Sequence, residues 1–165
     1  MPLGIAQRWR QRREWRVPAA GVIDTRRYGV DVVCERKAKR FVVEQHYSGT
    51  YPAARMAVGL YEKRGHQRPS SLVGVAVFGV PMNQQVIPRH LGLAPDRGVE
   101  LSRLVLLDQV PGNGESWFVA RCFRLLRTEK PEVEGVVSYC DPVERRGDDG
   151  QIVMPGHVGT VYTRR

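Results

Sequence analysis

The spacing of apolar positions changes along the chain, and the changes mark out its elements. Val30, Val32 and Val33 crowd residues 29–34 and predict a strand. Over residues 35–47, Ala38, Phe41, Val42 and Gln45 recur at helical spacing, with Arg36, Lys37, Lys39 and Arg40 in the first turns. Ser48, Gly49, Tyr51 and Pro52 read as a loop, residues 55–61 as a strand and residues 62–71 as a polar turn. Residues 72–80 are continuously apolar and valine-rich, the pattern of a central strand covered on both faces. Residues 83–98 carry Pro88 and Pro95 and predict irregular chain, followed by a strand over 99–107. A Gly/Pro loop over 108–114 leads into a helix over 115–130. Its stripe is Phe118, Cys122, Leu125 and Leu126, Glu115 suits its positive end, and Pro131 stops it. Residues 135–140 predict a strand, 144–155 a charged insert, and 156–165 a short helix.

Strands alternating with helices predict an α/β fold, a mixed twisted sheet with flanking helices. The 165 residues suit one domain over 21–165, preceded by a basic arm over 1–20. In that arm Arg8, Arg10, Arg12, Arg13 and Arg16 alternate with Trp9 and Trp15. The arginines suit phosphates and the tryptophans suit base stacking, or an amphipathic helix docks the tryptophans on the core.

Charge adds a partner. Lys and Arg number 26 against 17 Asp and Glu, a net +9, which attracts polyanions and favours nucleic acid. The longest apolar run, residues 72–82, is too short for a membrane span, and no apolar run follows the basic N-terminus as in a secretory signal. Cys34, Cys122 and Cys140 form no C-x-x-C pair and are odd in number, which argues against a disulfide framework. They are expected to be buried or half-buried in a chain kept in a reducing cytoplasm.

Four groups of residues bear chemistry. The first is Gln109-Val110-Pro111-Gly112-Asn113-Gly114, between a strand and a helix, where glycines admit close backbone approach and the helix start offers free N–H groups to an anion. The second is Glu100-Leu101-Ser102-Arg103, where a period of two puts Glu100 and Ser102 on one face and Leu101 and Arg103 on the other. The third is His46-Tyr47-Ser48-Gly49-Thr50-Tyr51-Pro52, with a histidine suited to carrying protons and two tyrosines suited to stacking on a base. The fourth joins Ser138-Tyr139-Cys140-Asp141-Pro142 to Gly156-His157-Val158-Gly159-Thr160-Val161-Tyr162. Its Asp141 ends a strand, where open α/β sheets place ligands. Each also has a purely structural reading: a turn, an ion pair, a helix cap, or core packing.

The loop resembles the coenzyme A loop of the Gcn5-related N-acetyltransferase family, Gln/Arg-x-x-Gly-x-Gly/Ala, and the element order resembles that fold. The resemblance implies that Gln109, Gly112 and Gly114 bind a cofactor, acetyl-coenzyme A or a related acyl donor. The other three groups together resemble the phage Mom-type DNA-modification proteins over roughly residues 30–162. That resemblance implies transfer of a carbamoylmethyl-type group to the exocyclic amine of adenine, protecting DNA from restriction. It places His46, Tyr47, Ser138, Asp141 and Tyr162 in the active site. Tyr51, Glu100, Ser102 and Arg103 are then substrate-binding candidates. Arg8, Trp9, Arg10, Arg12, Arg13, Arg36, Lys37, Lys39 and Arg40 are the nucleic-acid candidates. Two departures stand out. The 144–155 insert sets His157 far from Asp141, and the chain ends three residues after Tyr162, without the strand that usually completes such a sheet; truncation or a partner chain there would account for it.

Adenine N6 is a weak nucleophile, so the reaction needs positioning and proton removal. Asp141 or His46 can take the proton, Tyr162 or Tyr139 can supply one, and Ser138 can orient the amine. The amine is reachable only in a flipped or single-stranded base. His46, Asp141 and His157 are a possible iron or zinc set, but their spacing argues no geometry and no metal is assigned. Two rival readings are an acetyl-coenzyme A-dependent N-acetyltransferase on a small amine or protein, and a non-catalytic DNA-binding protein on the same scaffold.

Overall fold

A computed structural model describes residues 5–10, 13–18, 23–46, 48–65, 69–111, 113–140, 143, 145–146, 148–150 and 152–154; for 5–10, 13–18, 145 and 152–154 it describes backbone alone. The chain opens with a hairpin of β1 (Ile5–Arg10) and β2 (Arg13–Pro18), antiparallel, with Arg8 opposite Trp15. The helix considered for this arm is therefore replaced by strands. A 3₁₀ turn over Thr25–Arg27 leads into the main sheet.

That sheet has five strands in the order β3 (Tyr28–Val32), β4 (Ala54–Glu62), β5 (Ser71–Gly79), β6 (Gly98–Leu106) and β7 (Gly135–Val137). Every neighbouring pair is antiparallel except β6–β7, so the sheet is mixed. The parallel pair needs a crossover, supplied by α3 (Gly114–Glu129). β5 is central, as its valine run predicts, and residues 73–79 are buried throughout. Its side chains divide between two cores. Ala76 and Phe78 join Met56, Val58, Leu60, Leu101, Phe118, Cys122 and Leu126 on the α3 side. Val75 and Val77 join Ala57, Val105, Ala38 and Val42 on the side of α1 (Glu35–Gln45).

Three sequence expectations need correction. Residues 83–98 are not irregular throughout. α2 (Val86–Leu91) forms there because Pro88 sits in its first turn, where a missing N–H costs nothing, and Gly92 ends it with a left-handed φ of 65°. The last strand of the sheet stops at Val137, so 138–140 lie outside it, and part of the charged insert pairs as β8 (Arg145–Arg146) with β9 (Ile152–Met154). Only Cys122 is buried. Cys34 caps α1 and Cys140 follows β7, both exposed, because neither position faces a core. The helix expected over 156–165 falls outside the described residues. Among the described residues no helix is long and apolar enough to cross a membrane.

Candidate functional site

The site assembles where α1 ends over β6. β6 carries a bulge: Leu101 pairs with Phe78 and Arg103 with Val77, which leaves Ser102 as the extra residue. Strict alternation would place Arg103 with Leu101. The extra residue instead turns Arg103 to the face of Val77, the α1 side, which it shares with Glu100 opposite Gly79. The sequence expectation for Arg103 is corrected by that one-residue insertion. Ser102 Oγ donates to the Glu100 carbonyl at 3.2 Å. Gly79 makes room for it, since a Cβ there would lie 2.6 Å from the Ala53 carbonyl oxygen and 2.9 Å from Ser102 Oγ.

From Arg103 a chain of hydrogen bonds runs to the end of α1. Arg103 Nη2 donates to Thr50 Oγ1 at 2.9 Å, and Nε to the Thr50 carbonyl at 3.3 Å. Thr50 Oγ1 donates to Ser48 Oγ at 3.3 Å, and Ser48 Oγ lies 2.8 Å from His46 Nδ1. The Ser48 backbone N–H also donates to that nitrogen, at 3.1 Å. Such a run polarises each bond by the next. His46 follows Gln45 with extended backbone angles while its N–H still closes the last helical turn on Val42 O, so the ring is held at the helix end. Burial first, and the Arg103 charge second, push the imidazole down to about 4. The ring is therefore neutral near neutral pH. Because Nδ1 accepts, its proton sits on Nε2, which makes it a donor.

Two hydroxyls in this part of the molecule are buried without a partner among the described residues, those of Tyr51 and Ser138. Tyr51 packs against the α1-side core, and burial followed by the Glu35 charge raises its phenol. Ser138 follows β7, whose last residue pairs with Glu100. An unmet buried hydroxyl costs about 1–3 kcal/mol, a cost that a ligand can relieve. Past Glu100 the pairing of β6 and β7 stops although β6 runs on to Leu106, so among the described residues no strand pairs with the bulge on that edge.

The other candidates are placed as follows. Gln109 is exposed and donates its amide to Glu62 Oε2 at 2.8 Å, while Glu62 also pairs with Arg27. Gly114 opens α3, where a Cβ would meet Val110 Cγ1 at 2.5 Å, so close packing requires glycine there. The Asn113 side chain does not cap that helix: its Oδ1 accepts instead from Ile23 N–H at 3.0 Å. Arg36, Lys37 and Lys39 are exposed on α1, and Arg40 pairs with Glu44 at 3.0 Å. Arg8, Trp9, Arg10 and Arg13 lie on the hairpin backbone. Tyr47, Asp141, Tyr162, Gly112 and Arg12 lie outside the described residues, as do the side chains of the arm. Thus the fold brings His46 together with Arg103, and sets Ser138 beside the strand that carries Arg103. Ser48 and Thr50 were not singled out from the sequence as site residues. Their spacing of two within the loop was the available signal, but its partner strand was not visible.

The description Mom protein family belongs to the family model that matches residues 27–163. The methylcarbamoylase mom of Escherichia phage Mu is 30% identical over 117 residues, covering 70% of this chain and 45% of the relative. The chain thus spans less than half the length of the curated relative it matches.

Proposed function

The chain belongs to the Mom protein family, and from that premise we propose that it is a DNA-modifying transferase that places a carbamoylmethyl group on N6 of adenine. We read the scaffold as acetyltransferase-like, on the strength of a bulged strand β6 that parts from β7 and feeds a glycine loop and α3. The observation that carries the chemical reading is the Arg103–Thr50–Ser48–His46 chain.

In the proposed reaction a bond forms between N6 and the methylene carbon of the donor, the bond to the leaving group breaks, and one N6 proton passes to a base. His46 suits a different task from that base. Its Nδ1 is taken, its ring is held neutral, and its Nε2–H is a fixed donor for negative charge developing on the donor group. Arg103 adds a positive charge on the same side. Proton removal then falls to Asp141, which ends the segment after β7, with Tyr162 as the proton donor to the leaving group. Tyr51 and Ser138 offer their unmet hydroxyls to the flipped base, and Tyr47 its ring. The donor must already carry the carbamoyl nitrogen and a leaving group on its methylene carbon; acetyl-coenzyme A, activated at its carbonyl, serves the rival acetyltransferase reading instead. The first turn of α3, where Asn113 makes no cap bond, suits the phosphates of a coenzyme A-type donor, whereas Gln109 is engaged with Glu62.

The test is mass spectrometry of nucleosides from plasmid DNA grown with the protein. An adenine nucleoside heavier by a carbamoylmethyl group is expected, reduced at least tenfold by His46→Ala and by Arg103→Gln. Unmodified adenine in the presence of folded protein overturns the reading. Acetylation of amines by the purified protein in its place would favour the rival acetyltransferase.

A further inference from the structure

On the opposite face of the sheet from His46, β3 and α3 leave a pocket of about 420 Å³. Its walls include Thr25, Val30, Trp117, Arg121, Arg124 and Thr128, and no described carboxylate lines it. The Arg121 guanidinium carbon stands over the Trp117 ring, 3.7 Å from its centroid. The indole Nε1–H is buried and has no acceptor among the described residues. Arg121 and Arg124 are three apart on α3, near enough to repel, and no described carboxylate pairs with either. Desolvation first, and the Arg124 charge second, hold Arg121 below its usual range. Val30 is the β3 side chain that faces α3 here, whereas the alternation along β3 turns Gly29 to the other face of the sheet.

Two cations that repel each other and the Thr25 hydroxyl stand around one opening with no described anion beside them, while the Thr128 hydroxyl is bonded to the Arg124 carbonyl. We propose that this pocket is an anion site that takes a phosphate group, carried either by the DNA backbone or by a small phosphorylated molecule. A phosphate has the charge to offset both guanidiniums and enough oxygens to bond them and the Thr25 hydroxyl. Held over Trp117, Arg121 is positioned to present its N–H fork to phosphate oxygens. The site is separate from the reaction proposed above and does not depend on it.

The test compares wild type with Val30→Phe, which enlarges a side chain that faces α3 in the pocket without changing charge, and with Arg121→Gln/Arg124→Gln. Arg127→Gln, an exposed charge on the same helix outside the pocket, is the control. Two measurements are made: duplex DNA affinity against salt, and the melting temperature with and without millimolar inorganic phosphate. If the phosphate is the backbone's, Val30→Phe flattens the slope of log affinity against log salt by about 0.9 for each phosphate lost, and Arg127→Gln does not match it. If it is a small molecule's, inorganic phosphate raises the wild-type melting temperature, and both pocket variants lose that rise. The proposal falls if neither measurement separates the pocket variants from wild type, or if Arg127→Gln reproduces their effect.

Discussion

His46 shows how far surroundings reset a single side chain. A ring whose pKa is about 4 when folded and near 6.5 when free binds its proton more readily in the open chain. Folding stability is then unaffected above pH 6.5 and falls as pH drops from 6.5 towards 4, by at most about 1.4 kcal/mol per pH unit from this group. Urea unfolding of wild type at pH 7.5 and at pH 5 should therefore show a larger loss than His46→Gln shows over the same interval. Equal losses would mean that the ring is solvated in the folded state. Arg103→Gln should recover only part of the shift, because burial is its larger cause. Arg55 makes a useful contrast. Its guanidinium donates to the Asp96 carbonyl at 2.8 Å and to Glu132 at 3.1 Å, so this arginine ties β4 to the loops around β6 and is unavailable to a phosphate.

At the scale of the element, α1 is built against its own dipole. Arg36 and Lys37 sit exposed in its first turn, where the helix end is already positive. Each cation there costs about 0.3–1 kcal/mol at low salt. The same charge and the same dipole end attract an anion, so the arrangement trades stability for attraction of phosphate. Arg36→Gln/Lys37→Gln should raise the melting temperature by about 1–4 °C in low salt, a gain that shrinks as salt screens the dipole. The double variant should also bind DNA more weakly. Scanning calorimetry and a filter-binding titration on one preparation check both signs, and a variant that loses stability would give these side chains a packing role. The bulge in β6 is the other decisive element. One inserted residue, Ser102, lets a strand that feeds Leu101 to the α3-side core present Glu100 and Arg103 to the α1 side.

For the whole molecule, the net charge of +9 is densest at the N-terminus, where residues 5–18 hold five arginines against one glutamate. Binding to DNA should be governed by counterion release, with affinity falling steeply as salt rises. Five arginines lie within residues 1–16. Deleting that segment should flatten the log–log salt slope by up to about 0.9 for each of them that meets a phosphate. An unchanged slope would assign the hairpin to packing. Family membership makes this prediction specific, since a protein proposed to modify bases must hold the duplex while one base leaves the stack.

The sequence alone determined where apolar surface had to go. The valine run of β5, the Phe118–Cys122–Leu126 stripe of α3 and the Ala38–Val42 stripe of α1 all face cores, because period and composition are local properties that burial converts into layers. It also pointed to His46, Ser102 and Arg103, and to the family, through motifs that survive in short stretches. Tertiary structure decided the rest. A bulge is invisible to a period-two reading, since pairing with β5 is what makes Ser102 the extra residue. α2 formed across a proline that local rules read as a break. The neutral state of His46, its donor role and the link to Arg103 across 56 intervening positions arise only when β6 and the end of α1 meet. Desolvation and charge act through space, not along the chain.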